Sequence, residues 1–168
     1  MDYVLGESIG DIQISTVEEY KTISLSLAQQ ARKSIDIFTQ DLESVIYNNS
    51  EFEQSIFTLS KRHPNTQIRI LVQDSASAMQ KGHRLIKLSQ RLTSSVLIHK
   101  PSFKDRDESC TFMNVDNIGL IHRTVATSMV YKATANFYSP RPAAKLTDFF
   151  NHIWEHSSPD MQTRRIFL

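Results

Sequence analysis

The sequence predicts an α/β fold: a mixed, mostly parallel sheet flanked by helices. Three observations point to it. Between residues 34 and 99, short apolar and β-branched runs alternate with helical patterns, and that order produces parallel strands joined by right-handed crossovers. Two segments, Thr16-Val17-Glu18-Glu19 and Ser50-Glu51-Phe52-Glu53, have the form of capping boxes, in which a hydroxyl and a glutamate satisfy the orphan amides of a helix start. Farther on, Cys110 to Val115 and Ile118 to Ile121 flank Asp116-Asn117, a pair suited to a tight hairpin turn.

Taken in order, Asp11 to Ser15 reads as a short strand or lead-in. A first helix runs from the Thr16 cap to about Lys33, with Val17, Tyr20, Ile23, Leu27 and Ala31 as its apolar stripe. Ser34 to Phe38 alternates at period two and reads as a strand. The second helix opens at Ser50 and ends near Arg62, before His63-Pro64. Gln67 to Val72, QIRILV, is the most strand-like run of the chain. A third helix is expected over Ala78 to Leu92, then a strand over Ser95 to His99 and a charged loop over Lys100 to Glu108. After the hairpin come a strand from about Ala133 to Phe137 and a last helix from about Pro142 to His156. Leu146, Phe149, Phe150, Ile153 and Trp154 give that helix a broad apolar face.

Composition sets the outer limits. A chain of 168 residues fits one domain, residues 1–168, and is long enough to bury a core without staples. A formal net charge of +1 gives no global argument for nucleic acid, so any basic surface must be local. The single cysteine, Cys110, excludes an internal disulfide framework and multi-cysteine metal sites. The mildly acidic opening has no basic start and no long apolar run, and no stretch reaches bilayer length. A soluble cytoplasmic protein is expected, with no cofactor and no metal: the six histidines show no tight ligand spacing.

The run Ser109-Cys110-Thr111-Phe112-Met113-Asn114-Val115-Asp116 has the spacing of the phospholipase D signature, His-x-Lys-x-x-x-x-Asp. Together with Ala31 to Glu43, Ile68 to Leu92 and the hairpin through Trp154, it resembles a bacterial phospholipase D-like domain of undefined function, the size of one half of a phospholipase D enzyme. Some members of that group are fused behind an acetyltransferase domain. Of the signature only Asp116 survives. Ser109 stands in place of the nucleophilic histidine and Thr111 in place of the phosphate-binding lysine. Imidazole is partly unprotonated near neutral pH, whereas a serine hydroxyl needs its own base within reach. The resemblance therefore implies the fold and argues against the reaction.

Ligands in open α/β sheets sit at the carboxyl ends of parallel strands. Candidates there are Thr39, Asp41 and Glu43 after the first parallel strand, and Gln73 and Asp74 after the second. His83, Arg84 and Arg91 follow on the third helix, His122 and Arg123 follow the hairpin, and Lys132 and Asn136 lie just beyond. From these, Asp41, Asp74, His83, Arg84, His122, Arg123 and Asn136 are singled out as ligand-binding candidates. Ala135-Asn136 is read as a remnant of the small-residue and asparagine segment that follows the signature in active relatives. Each has a plainer reading: Asp41, Asp74 and Asp116 as turn or helix-start residues, His83 and Arg84 as a solvated helix face. Cys110 reads as a packed strand residue rather than a nucleophile.

Three functions compete. The favoured one is a non-catalytic module that recognises a polar or phosphate-bearing ligand or a protein partner. The second is a phosphodiesterase with relocated groups, His83 or His122 as nucleophile and Arg84 or Arg123 on the phosphate, which requires both imidazoles in one cleft. The third is a nucleic-acid binder using Arg84, Arg91, Arg123 and Lys132. Active superfamily members with a single signature pair two copies to assemble one site, so the resemblance also implies a homodimer.

Overall fold

The computed structural model describes residues 2–124 and 131–164. Its strands are β1 (Ile12–Ile14), β2 (Ser34–Thr39), β3 (Gln67–Val72), β4 (Val96–Lys100), β5 (Thr111–Val115), β6 (Gly119–Arg123), β7 (Ala133–Asn136) and β8 (Ser158–Pro159). Its helices are α1 (Val17–Gln30), α2 (Ser44–Tyr47), α3 (Ser50–Ser60), α4 (Ala76–Gln80), α5 (Arg84–Arg91) and α6 (Pro140–Glu155). The strands form one mixed sheet in the order β1-β7-β6-β5-β2-β3-β4-β8. Parallel pairing is confined to β2, β3 and β4. Every other pairing is antiparallel, so the parallel share is smaller than expected: after β4 the chain passes back to lie antiparallel beside β2 as β5, while β6 and β7 follow as antiparallel neighbours, and α6 leads across to β8 beside β4.

Helices cover the sheet on both faces, which divides the core in two. The larger cluster lies under the first five helices and includes Leu27, Ile37, Ile56, Ile70, Leu85 and Ile121. The smaller, Phe38, Leu71, Phe112, Phe150 and Ile153, lies under α6. Double coverage explains why β2, whose sequence alternates, is buried almost throughout. Its Asp36 is paired with Arg69 on β3 by two bonds of 2.9 and 3.0 Å, and the guanidinium lies 4.8 Å from the Phe150 ring centroid. A charge is tolerated inside because partner and aromatic face are both supplied.

Several element boundaries differ from the sequence expectation for local reasons. α1 stops at Gln30 because the next amides, those of Arg32, Lys33 and Ser34, donate to the Asp116 carboxylate at 2.8, 2.7 and 3.0 Å. The cap of α3 is Asn49, one residue before the expected Ser50; its Oδ1 accepts from Phe52 N–H at 2.8 Å. The expected third helix is broken into α4 and α5 at Gly82, whose φ of +64° takes the left-handed conformation a helix cannot continue through. The Thr16 cap forms, with Glu19 N–H donating to Thr16 Oγ1 at 3.1 Å, but the Glu19 carboxylate accepts from the Thr16 hydroxyl at 3.0 Å and from Ser15 N–H at 3.4 Å, so the reciprocal half of the box differs from the sequence reading. Asp116 and Asn117 both have positive φ, 55° and 60°, as the hairpin turn requires.

Candidate functional site

β5 runs antiparallel to β2, and β6 antiparallel to β5. The start of β5 and the end of β6 therefore meet the carboxyl ends of β2 and β3 on one rim. Thr111 and Arg123 are direct partners across that ladder, so their side chains emerge on the same face. Thr111, fully buried, donates its hydroxyl to Phe38 C=O at 2.7 Å and lies 3.1 Å from Glu43 Oε1. Arg123 Nη1 is 3.3 Å from the other oxygen, Glu43 Oε2. The side chains of this ion pair are 3% and 8% exposed, so solvent screens it little. Burial pushes the Glu43 carboxyl above its ordinary range, while Arg123 and the Thr111 hydroxyl pull it back.

Aromatic rings close the cluster. Tyr131 lies against the Arg123 guanidinium at 4.3 Å, and Tyr20 meets Tyr131 edge-on at 5.7 Å. Burial drives the Tyr20 and Tyr47 hydroxyls above their usual range, with the Glu43 charge adding to the effect. Tyr20 escaped sequence reasoning because a tyrosine in an apolar helical stripe looks like ordinary core, and Tyr47 and Tyr131 because they lie outside every element read from the sequence. Glu43 was visible only as one acid near a strand end; its pairing with Arg123 spans 80 residues of sequence.

The charged loop before β5 is held over the rim by two amides. Gln40 Nε2 and Gln73 Nε2 both donate to Glu108 C=O, at 2.6 and 3.0 Å. Ser109 follows in that loop, exposed; among the described residues no base is hydrogen-bonded to it. Burial pushes the neighbouring Cys110 thiol up to about 11, which leaves it protonated near neutral pH.

The other candidates disperse. Asp116 follows the far end of β5, away from the rim, and serves as the acceptor for three backbone amides. Asp41 Oδ1 accepts from Glu43 N–H at 3.0 Å and Asp74 Oδ1 from Ala76 N–H at 3.0 Å, both turn contacts. His83 is wholly buried rather than solvated. Its Nδ1 accepts from Leu85 N–H at 3.1 Å, which leaves Nε2–H to donate to Leu42 C=O at 2.9 Å, and burial pushes its pKa down to about 4. Arg84 is exposed and pairs with Glu53 at 3.4 Å. Asn136 is tied to Asp11 at 2.9 Å and to Tyr138 N–H at 2.9 Å, structural contacts on β7.

His122 faces the side opposite Arg123, edge-on to Phe112 at 6.0 Å, whereas His83 bonds into the larger cluster through Leu42. The sheet lies between the two imidazoles. With Gln13, Ser15, Thr124, Lys132 and Thr134, His122 instead lines a groove of about 420 Å³ beside β1. Among the described residues no group of three or more His, Cys, Asp or Glu could hold a metal ion. No helix among them is long and apolar enough to cross a membrane.

A family model described as a domain of unknown function, DUF7931, matches residues 16–166. The chain belongs to this family. Among curated proteins, no sequence match is found for this DUF7931 chain. Solved structures do match its fold. NucT from Helicobacter pylori superposes with a TM-score of 0.67 at 9% identity, covering 91% of this chain and 100% of NucT. Nuc from Salmonella typhimurium, a phospholipase D family member, gives 0.63 at 12% identity, over 91% and 99%. TrmBL2, an archaeal chromatin protein with a novel mode of DNA binding, gives 0.64 at 14% identity, over 89% and 54%. The DUF7931 chain thus spans about half the length of TrmBL2 and nearly all of Nuc. At such identities the likeness is one of fold: a phospholipase D-like α/β fold.

Proposed function

We propose that this chain is a phospholipase D-like recognition module without phosphodiesterase chemistry, binding a polar or phosphate-bearing ligand at the rim. One observation carries the reading: the Thr111 side chain, standing in place of the phosphate-binding lysine, is consumed by Phe38 C=O and Glu43. Among the described residues no base is hydrogen-bonded to the exposed Ser109, and the sheet separates His83 from His122, so the relocated-histidine alternative lacks a common cleft. The groove lined by His122, Lys132 and Thr124 adds donors on the same rim, consistent with recognition of an anionic group. As part of the same reading the chain acts as one cytoplasmic domain and pairs two-fold across this rim, which predicts a dimeric mass by light scattering at micromolar concentration.

Hydrolysis of bis-(p-nitrophenyl) phosphate across pH, with and without divalent metal, is the test. No turnover above blank is expected. Turnover abolished by both His83→Ala and His122→Ala would replace this reading with a rebuilt phosphodiesterase.

The similarity to TrmBL2 favours a second reading, nucleic-acid binding through Arg84, Arg91 and Lys132; Arg123, expected with them, is instead buried against Glu43. Anisotropy of a labelled DNA duplex would then show binding that weakens steeply with salt; a flat response at low salt removes it.

A further inference from the structure

The two edges of the sheet are finished differently. Among the described residues, β8 closes one edge and β1 the other. β8 is two residues long and one of them is Pro159, which has no backbone N–H to offer, so that edge is blunted against further strands. β1, Ile12-Gln13-Ile14, pairs with β7 on its inner side and contains neither proline nor a charge. An edge strand presents unpaired N–H and C=O groups on its outer side, and nothing within β1 guards them.

Its surroundings are those of an interface. Ile9, three residues before the strand, is 85% exposed, the most exposed large hydrophobic among the described residues. A groove lies on each face of β1. On the α1 side, Tyr3, Ile12, Ile14 and Ile23 line one of about 310 Å³ together with Glu18 and Glu19. On the other side, Gln13 and Ser15 line the polar groove that holds His122 and Lys132.

The sequence of β1 is its own antiparallel complement. In a two-fold pairing centred on Gln13, Ile12 stands opposite Ile14 of a second copy, twice over, on the α1 face. Gln13 meets Gln13 on the other face, where each amide has both a donor and an acceptor to offer. Ile14 is already buried in its own core, so the added burial falls on Ile12 and, just outside the strand, on Ile9. One step farther, Asp11 of the second copy comes opposite Ser15. Asp11 is exposed, and Asn136 donates to only one of its oxygens, at 2.9 Å. The groove beside Ser15 contains Lys132 and no acid among its lining residues, so the charges across the edge are complementary. A second copy supplies all of this by symmetry.

We propose that the outer edge of β1 is a docking surface for a second copy of this chain, joining two sheets edge to edge through antiparallel β1–β1 pairing centred on Gln13. Main-chain hydrogen bonds supply the affinity of such strand addition, and the alternating side chains fix its register. The surface goes beyond the pairing across the rim: antiparallel strands point the two rims in opposite directions, so the two contacts are separate.

Light scattering over a concentration series tests it, on the wild-type chain, on Gln13→Lys, on Gln13→Glu and on an equimolar mixture of the two variants. Gln13 is exposed, so both variants keep the fold. Each variant alone sets like charges opposite each other and should weaken the association by about fivefold, and the mixture, with opposite charges facing, should restore it. Variants that fall to monomers and recover on mixing make β1 the contact of the dimer and remove the rim pairing; variants that stop at dimers where the wild type grows larger support both contacts. A dimer indifferent to both charges, or variants that stay dissociated on mixing, would overturn the β1 surface and leave the rim pairing standing. A wild-type chain that stays monomeric throughout overturns both.

Discussion

Thr111 and Arg123 stand opposite each other across the β5–β6 ladder, and both side chains converge on the Glu43 carboxylate. An arginine this deeply enclosed is stable only while its counter-charge is present. The rim is therefore both the place where a ligand is expected and a structural joint between the sheet and the turn after β2.

Removing one member of the pair exposes that joint. Arg123→Met leaves Glu43 buried without its cation and should cost about 3–5 kcal/mol in urea unfolding. Combining it with Glu43→Gln should cost less than Arg123→Met alone, since no bare charge remains. Additive losses would show that the two residues do not act as a pair.

His83 predicts a pH dependence. Its pKa falls from 6.5 to about 4 on folding, so between those values the unfolded chain binds the proton and the folded one does not. The stabilisation is complete above pH 6.5 and is lost as pH falls towards 4, on the order of 3 kcal/mol. Glu43 has the opposite sign: its carboxyl is raised, so its contribution to stability declines as pH rises from 4.5. His83→Gln should flatten the acid limb of a stability-versus-pH curve; an unchanged limb would show that another group controls it.

Asp116 predicts a loss of stability without a change at the rim. Asp116→Ala deletes the acceptor for three amides and places alanine at a φ of 55°. A cost of about 2–4 kcal/mol follows. Because Asp116 lies at the far end of a five-residue strand, roughly 17 Å from the rim, the coupling between Arg123→Met and Glu43→Gln should be the same in the folded variant as in its parent.

Gly119 is a steric requirement. A Cβ there would collide with Leu5 Cδ1 and press on Leu27 Cδ2, so Gly119→Ala should destabilise by about 1–3 kcal/mol. A neutral result by thermal unfolding would mean that the segment around Leu5 yields easily.

What was legible in the chain was local. QIRILV, the Thr16 box and the Asp116-Asn117 turn act through neighbours a few residues away, so strand, cap and hairpin could be read from residue type and spacing. The same local reading failed where a distant contact intervened: α1 ends early because Asp116, more than 80 residues on, captures the next amides. His83 resembled a surface helix residue until the break at Gly82 turned it inward to Leu42.

The site belongs to the tertiary structure. Ser109 and Thr111 showed from residue type alone that the signature had lost its nucleophile and its cation. That Glu43, Thr111 and Arg123 meet, and that His83 and His122 do not, depends on strand register and on which face of the sheet each residue takes. A one-residue shift of β6 would exchange His122 for Arg123 at the cluster. Pairing across 68 and 80 residues leaves no periodic trace in the sequence, because burial of a charge is decided by the partner the fold brings to it and not by the residues beside it in the chain.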